Sequence, residues 1–407
     1  MKINLAEHMK KQTLLSYFIL SAFSLCSLHA QDLSSELLSI RSLYAPDARD
    51  HVFDYESKCN ENNEYVIKGI TTSPQLKEAL IALLKQQKET GVIRAYVDSV
   101  KLIPCQSDSL PPYGICRLSV ADIRTAPSYA AEMASQSLMG APMQILEYKR
   151  GWYRVRTPDN YLGWINNSSI QKVDKASVEN WISAPKVIVI THNSQILSQV
   201  DDYRTPVSDV VMGDMMAFKS ADNKWTQVSL PDGRSGYIRN DHIRNYSDWY
   251  ADADPTAENI IALGKTFMGI PYTWGGTSAK MLDCSGFMRT IFFMNGIYLN
   301  RDASQQARQG ADLGKQLDTD NFLPGDLLFF GVRGDDGKKD RVTHVAVYIG
   351  GGEYLHEAGL VHISSFDPTK DNYSKYYDET FLCARRILGY ESKNINTKYL
   401  RVVNFID

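Results

Sequence analysis

Two stretches of the chain repeat one pattern of short strands, and this repeat most constrains how the middle of the chain folds. The first copy, within residues 116–165, runs through C-R-L-S-V-A-D-I-R-T-A-P and G-W-Y-R-V-R to a closing G-W-I. The second, within residues 200–238, runs through V-D-D-Y-R-T-P and K-W-T-Q-V-S to a closing G-Y-I. Short strands at even spacing predict a small barrel for each copy, with two unrelated β-segments as the alternative.

Regions of different character flank the repeat. Before it, a helical pattern begins at Pro74 behind a Ser73 cap, and an alternating run from Ile93 to Ile103 predicts a strand. After it, a helix is predicted from Thr256 to Met268, and several strand patterns follow, which favours a second α+β unit. We expect six segments: a targeting segment 1–30, an α+β region 31–112, barrels 113–178 and 183–247, an α+β unit 254–392 and a tail 393–407.

The N-terminus has the pattern of a secretory signal peptide. Two lysines precede an apolar run from Leu14 to Leu28, and the small residue Ala30 follows. We expect cleavage after Ala30 in preference to lipidation at Cys26, because Leu25 is bulky where lipidation sites have a small residue. No later stretch is long and apolar enough to span a bilayer. We therefore expect an exported protein, in the periplasm or outside the cell.

Charge and cysteine content limit the partners. The formal net charge of −3 gives no electrostatic support for a nucleic-acid partner.

Five of the six cysteines follow the signal segment, and an odd number leaves at least one thiol free. Cys105 and Cys116 flank a P-P-Y-G turn, and the sequence leaves open whether they form a disulfide. Cys383 lies in an apolar strand pattern and is expected to be a buried, inert thiol.

One cysteine stands at the start of a predicted helix. The run Asp283-Cys284-Ser285-Gly286 immediately precedes apolar residues at helical spacing. A helix N-terminus lowers the pKa of a thiol, and its N–H groups can face the oxyanion formed when a thiolate attacks a carbonyl. The sequence therefore predicts a nucleophile at Cys284, with a purely structural thiol as the alternative.

Two histidines follow on a predicted hairpin and can supply the base that a nucleophile needs. If the chain turns near Gly350, His344 and His356 are directly opposed, and their equal parity keeps them on one face after a slip of two residues. One would accept the thiol proton and the other would orient it, with His362 as a competitor for the orienting role. The chain has no C-x-x-C or H-E-x-x-H pair, so we expect neither a metal nor a cofactor.

The motifs between residues 255 and 390 resemble those of the NlpC-type papain-like cell-wall peptidases. They are P-Y-T-W-G-G, D-C-S-G-F, L-N-R-D-A-S-Q-Q, L-P-G-D-L-L-F-F, T-H-V-A-V-Y-I-G and Y-L-H-E-A. The resemblance implies Cys284 as nucleophile, His344 as base and His356 as orienting residue. It also implies that the Tyr272 hydroxyl and the Cys284 N–H bind the oxyanion, although Tyr272 as a packed aromatic is the alternative.

The repeat is similar to the bacterial SH3-like domain. With two such copies ahead of the peptidase motifs, the chain resembles the γ-D-glutamyl-L-diamino acid endopeptidases, also called dipeptidyl-peptidase VI. This resemblance implies cleavage of L-Ala-γ-D-Glu-diamino acid after the D-Glu, with a free L-Ala amine required. It further implies that Glu132 and Tyr161 cap the amino end, with Asp302 as a second carboxylate and with Asp283 and Ser285 lining the pocket. A solvated Glu132 and a helix-capping Asp302 are the alternatives.

Together these patterns predict an α+β papain-like peptidase domain after two small SH3-like β-barrels and a small α+β N-terminal region. We expect an exported, monomeric cysteine peptidase that acts on peptidoglycan-derived peptides through a Cys thioester. Two other functions stay open, namely an endopeptidase on intact muramoyl-linked stem peptides and a cell-wall-binding protein with an inactive peptidase domain. The intact set of Cys284, His344 and His356 argues against the second of these.

Overall fold

The structure is a computed structural model that describes residues 32–105, 110–335, 338–395 and 399–400. The predicted signal segment, with its cleavage position after Ala30 and with Cys26, lies outside the described residues. Within the described ranges, no helix has the length and apolar character needed to cross a membrane.

The N-terminal unit packs two helices on a three-stranded sheet. Its elements are α1 (Ser34–Tyr44), β1 (Phe53–Cys59), β2 (Glu64–Thr71), α2 (Pro74–Glu89) and β3 (Ala95–Leu102). Strand β2 is antiparallel to β1 and parallel to β3. Helix α2 begins as predicted, because the Ser73 side chain accepts a hydrogen bond from the Leu76 N–H at 3.1 Å. The predicted helix and strand of this region are confirmed.

The first copy of the repeat forms a seven-stranded antiparallel sheet. Its strands are β4 (Tyr113–Cys116), β5 (Val120–Arg124), β6 (Met133–Leu138), β7 (Pro142–Lys149), β8 (Trp152–Arg156), β9 (Leu162–Asn166) and β10 (Ile170–Val173). They lie in the order β10-β4-β7-β8-β9-β5-β6. Helix α3 (Lys175–Ser183) connects this sheet to the second copy.

The second copy forms another seven-stranded antiparallel sheet. Its strands are β11 (Lys186–Val189), β12 (Asn193–Leu197), β13 (Pro206–Val211), β14 (Met215–Ala221), β15 (Trp225–Ser229), β16 (Ser235–Arg239) and β17 (Ile243–Asn245). Their order is β17-β11-β14-β15-β16-β12-β13, which matches the first sheet strand for strand. The equal order agrees with an internal repeat. Among the described residues, however, neither sheet closes into the barrel that the sequence predicted.

The open edge of the first sheet is covered instead of closed. Strand β6 has β5 as its one neighbour in the sheet order. On its other side the Thr277 N–H donates to the Gln136 side-chain oxygen at 3.0 Å, and the Thr277 hydroxyl donates to the Gln136 carbonyl at 3.1 Å. Contacts with the C-terminal part of the chain thus satisfy edge groups that closure would satisfy in a barrel.

The C-terminal unit packs a buried helix on a six-stranded sheet with the order β20-β25-β21-β22-β23-β24. Its helices are α4 (Tyr246–Asp252), α5 (Ala257–Lys265), α6 (Cys284–Phe293), α7 (Ala303–Gln306) and α8 (Lys375–Glu379). Its strands are β18 (Thr277–Ser278), β19 (Met281–Leu282), β20 (Ala311–Asp312), β21 (Leu327–Val332), β22 (Arg341–Gly350), β23 (Glu353–Ala358), β24 (Leu360–Ser365) and β25 (Phe381–Arg386). The helix predicted over Thr256–Met268 exists, but it ends three residues earlier, at Lys265.

Helix α6 forms the centre of the main hydrophobic core. Phe287 and Ile291 of α6 pack with Val345 and Val347 of β22 and with Leu355 of β23, and all five side chains are fully buried. A helix that is apolar on nearly every side must be buried on nearly every side. This packing fixes the start of α6 against the middle of the sheet.

Two cysteine predictions concern thiols outside this helix. Cys116 is a free, buried thiol whose Sγ lies 3.4 Å from the Leu118 carbonyl and 3.5 Å from the Ser137 carbonyl. The bridge to Cys105 that the sequence left open is therefore not formed here. Cys383 is half-buried on β25, and burial raises the pKa of its thiol.

Candidate active site

The side chain of Asp283 starts helix α6 and so places Cys284. It accepts a hydrogen bond from the Gly286 N–H at 2.7 Å and another from the Gly275 N–H at 3.0 Å. Gly286 has no room for a side chain, since an added Cβ would lie 2.0 Å from the Gly276 carbonyl oxygen. The local sequence D-C-S-G thus folds into a capped helix start with the thiol in its first turn.

The Cys284 thiol is buried beside strand β22. Burial, together with the charge of Asp283, raises the pKa of this thiol to about 12, although the backbone of Val345 and the charge of Arg301 act to lower it. The expectation that the helix start lowers the pKa of this thiol is therefore wrong for the free protein, because desolvation outweighs the helix terminus. The neutral thiol is the favoured form before a substrate binds.

The two predicted histidines lie on one face of the β22–β23 hairpin. The prediction that they oppose each other directly is wrong, because Ala346 is the partner of His356 in the register. The pairing register between β22 and β23 shifts between Tyr348 and Gly350, and this irregularity displaces the turn along the chain. The slip of two residues keeps the parity, and His344 Nε2 still lies 2.9 Å from His356 Nδ1.

A third histidine extends this contact. His362 is the direct partner of His356 in the β23–β24 ladder, and their Nε2 atoms are 3.1 Å apart. The Ser364 hydroxyl lies 3.0 Å from the same Nε2 atom of His356. Burial lowers the pKa of His344 to about 3 and that of His356 to about 2, so both imidazoles are neutral near pH 7.

A buried arginine, which the sequence reasoning did not single out, supports the start of α6. Arg301 is 1% exposed and forms an ion pair with Asp283 at 2.6 Å. It also donates to the Ser285 hydroxyl at 2.9 Å and to the Ser135 hydroxyl of the first sheet at 3.1 Å. Asp283 and Ser285 are thus held by Arg301, and the guanidinium links the helix start to strand β6. The sequence feature that points to Arg301 is its position in the motif L-N-R-D-A-S, directly before Asp302.

The first sheet reaches the same end of the site. The Glu132 carboxylate accepts a hydrogen bond from the Trp274 indole at 2.7 Å, so Glu132 contacts the P-Y-T-W-G-G loop. Gly275 in that loop has a φ of 82°, and an added Cβ would lie 2.3 Å from the Met133 carbonyl oxygen. Glycine is required there for this close approach between the sheet and the loop.

Tyr161 and Asp302 meet at this end as well. The buried Tyr161 hydroxyl donates to Asp302 Oδ2 at 3.4 Å. Asp302 is also the N-cap residue of α7, and its N–H donates to the Gln305 side-chain oxygen at 3.2 Å, which agrees with the helix-capping alternative. The carboxylate nevertheless remains 27% exposed, which leaves it able to contact a ligand.

Three further side chains surround the histidines and the thiol. Tyr272 is half-buried, and burial together with the nearby Cys284 raises the pKa of its hydroxyl. Tyr377 stacks on His344 with ring centroids 4.9 Å apart. Glu357 is fully buried, and neither of its carboxylate oxygens has a hydrogen-bond partner among the residues that the structure describes. Tyr377 and Glu357 carried no signal in the sequence.

The arrangement combines a buried thiol at a helix start with a pair of neutral histidines, which suits nucleophilic attack on an amide. Across the described ranges, no group of three or more His, Cys, Asp or Glu side chains could hold a metal ion.

Comparisons with known proteins agree with this chemistry. The sequence profile of the NlpC/P60 family matches residues 269–386, and that of the bacterial dipeptidyl-peptidase Sh3 domain matches residues 123–170. The chain is 29% identical over 271 residues to a gamma-D-glutamyl-L-lysine dipeptidyl-peptidase of Bacillus cereus, covering 64% of this chain and 76% of the relative.

Two more relatives extend the comparison. A probable endopeptidase NlpC of Escherichia coli is 34% identical over 130 residues, which is 30% of this chain and 73% of that relative. The crystal structure of an NlpC/P60 family protein from Bacillus cereus superposes with a TM-score of 0.58 at 25% identity, covering 68% of this chain and 99% of that one. The chain therefore belongs to the NlpC/P60 family of cysteine peptidases.

Proposed function

We propose that this enzyme hydrolyses the γ-D-Glu–diamino acid bond of peptidoglycan stem peptides that carry a free N-terminal L-Ala. The proposal is supported by two contacts between the first sheet and the C-terminal unit, from the Trp274 indole to Glu132 and from the Tyr161 hydroxyl to Asp302. Relatives named as gamma-D-glutamyl-L-lysine dipeptidyl-peptidases support the same substrate class.

The carboxylates give this end its selectivity. A free ammonium group between Glu132 and Asp302 forms charge-assisted hydrogen bonds, whereas an acylated amine offers no charge and needs more room. Tyr161 holds Asp302 from the first sheet, and Trp274 holds Glu132 from the C-terminal unit. In this proposal the first sheet is part of the active site and does not only target the enzyme to the wall.

The reaction begins with the thiol. Cys284 Sγ attacks the γ-carbonyl carbon of D-Glu while His344 takes the thiol proton, which matches the neutral resting forms of both groups. The oxyanion is bound by the Cys284 N–H and the Tyr272 hydroxyl. His344 then gives the proton to the amine of the leaving diamino acid as the C–N bond breaks, and a thioester remains on Cys284.

Water completes the cycle. His344 takes a proton from the attacking water, the C–S bond breaks, and the sulfur takes up that proton. L-Ala-γ-D-Glu leaves as a carboxylic acid, which then loses its own proton to the solvent. His356 orients His344 through the contact of 2.9 Å between their ring nitrogens. Each proton removed in the first half is returned in the second, so the enzyme is regenerated unchanged.

The domain division belongs to the same proposal. We assign residues 113–178 and 183–247 to two SH3-like units, on the ground of their equal strand order, and residues 254–392 to the peptidase domain. Residues 31–112 form the N-terminal unit, and 393–407 form the tail. The charged, apolar and small-residue pattern of residues 1–30 supports export with cleavage after Ala30.

Mass spectrometry of the purified protein with two substrates tests the function. One substrate is free L-Ala-γ-D-Glu-diaminopimelate, and the other is the same peptide with a muramoyl group on the alanine amine. We expect cleavage of the free peptide alone, and no cleavage by Cys284→Ala. Equal cleavage of both would make the enzyme an endopeptidase on intact stems. No cleavage of either would favour a wall-binding protein.

A further inference from the structure

The segment between α1 and β1 of the N-terminal unit reaches the amine end of the site. The Arg49 carbonyl accepts a hydrogen bond from the Leu162 N–H at 2.7 Å, one residue from Tyr161. On the other side the Asp50 carboxylate accepts from the Gln305 side chain of α7 at 3.1 Å. This segment is therefore fixed on one side next to Tyr161 and on the other to the helix that follows Asp302.

The Arg49 side chain ends on Asp302. Its Nη1 group donates to Asp302 Oδ2 at 2.6 Å and to the Ser304 hydroxyl at 2.8 Å. Its Nε and Nη2 groups donate to the two carboxylate oxygens of Asp47 at 2.8 and 2.7 Å. The bidentate pair with Asp47 holds the planar guanidinium in one orientation, so the remaining donor points at a fixed place.

The ion pair joins residues that are 253 positions apart in the chain. Arg49 is 29% exposed and Asp302 is 27% exposed, so the pair lines accessible space and is not part of the core. Tyr161 and Arg49 both donate to the same oxygen of Asp302. Two donors from different units therefore set the direction in which this carboxylate faces.

We propose that Arg49 is a positioning residue for substrate recognition: the N-terminal unit uses it to hold Asp302 ready for the substrate ammonium group. The inference rests on the proposed function, since it takes Asp302 as a ligand of the free L-Ala amine. It gives the N-terminal unit a role in the active site, which neither family profile includes, because the matches cover residues 123–170 and 269–386.

Steady-state kinetics of the full chain on free L-Ala-γ-D-Glu-diaminopimelate test the role. We expect Arg49→Ala to raise KM about tenfold with kcat within about twofold of wild type, and Arg49→Lys to restore part of the loss. The matched control is Asp54→Ala, which removes an ion pair with Arg154 at 3.0 Å between the same unit and the first sheet. Asp54 pairs with Arg154 of β8 and not with Tyr161 or Asp302, so KM should not change.

A double variant separates positioning from a general effect on the fold. If Arg49 acts through Asp302, then Arg49→Ala has no further effect on KM in an Asp302→Asn background. Equal KM values for wild type and Arg49→Ala, or a lower KM in the variant, would overturn the inference about Arg49. The proposed function would still hold in that case, provided that the wild-type enzyme cleaves the free peptide and not the blocked one. If the wild-type enzyme cleaves blocked and free peptides equally, the proposed function and the inference about Arg49 are both wrong.

Discussion

The Nε2 atom of His356 lies 3.1 Å from the Nε2 atom of His362, its direct partner on the neighbouring strand. His362 Nδ1 lies 2.8 Å from the Leu360 carbonyl, which can only accept, so this nitrogen carries the proton of a neutral His362. His362 Nε2 then accepts from His356, and His356 Nδ1 accepts from His344. The Nδ1 atom of His344 is left unprotonated, as a base for the Cys284 thiol must be.

Removal of His362 should therefore slow the reaction. Without it the Ser364 hydroxyl, 3.0 Å away, can donate to His356 Nε2, which reverses the tautomers and puts a proton on His344 Nδ1. We expect His362→Ala to lower kcat about tenfold, the effect of 1.36 kcal/mol on the barrier, with little change in KM.

Single-turnover kinetics and ¹⁵N NMR of the imidazoles measure the rate and the tautomer. Ser364→Ala is the matched control, because it leaves the His362 acceptor in place, and its kcat should stay close to wild type. A kcat for His362→Ala within about twofold of wild type would show that the tautomer is fixed in another way.

Loss of Arg301 should destabilise the protein strongly. Arg301→Met leaves the Asp283 carboxylate buried without its ion pair, and breaking a buried pair from one side costs about 3–5 kcal/mol. Urea unfolding measures the change. The control Arg239→Met removes a solvent-exposed pair with Asp241, and its urea midpoint should stay close to that of wild type. Equal losses in the two variants would contradict this prediction.

The stability of the protein should depend on Glu357 between acid and neutral pH. Burial, together with the charge of Asp283, raises the pKa of Glu357 from 4.5 to about 8. Between these values the folded state keeps a proton that the unfolded chain has lost, so the free energy of unfolding falls as the pH rises and levels off above about pH 8.

Glu357→Gln removes this titration. Urea midpoints measured from about pH 5 to about pH 9 should fall less steeply for the variant than for wild type, and the difference should lie in the window below pH 8. The exposed Glu379→Gln serves as the control and should follow wild type. Parallel curves for wild type and Glu357→Gln would mean that Glu357 is ionised in the folded protein.

The Glu132 carboxylate should matter for binding more than for the chemical step. Glu132→Gln removes its charge, and we expect KM for the free-amine peptide to rise about tenfold, because hydrogen bonds to charged groups contribute about 1.5–3 kcal/mol. Trp274→Phe keeps an aromatic ring but removes the indole donor, and a smaller rise in KM is expected. Peptide cleavage followed by chromatography measures both, with the exposed Glu179→Gln as control. An unchanged KM in Glu132→Gln would place the ammonium group elsewhere.

Much of the local structure was predictable because short-range patterns determine it. Ser73 caps α2 and Asp283 caps α6, since a short polar side chain before an apolar helix can satisfy the first free N–H groups. Equal parity placed His344 and His356 on one face of a hairpin regardless of a slip by two residues. The register itself was missed, because the shift between Tyr348 and Gly350 depends on how the glycine turn closes.

Neighbouring residues along the chain specify the helix start at Cys284, the parity of the histidines and the repeated strand pattern, so these features can be read from local sequence. The packing of distant segments sets the pKa of the thiol instead, since burial opposes the helix terminus. It also decides the partners of the amine-end carboxylates. Arg49 and Asp302 lie on separate units, and such a contact follows from how domains pack, which no local pattern of residues encodes.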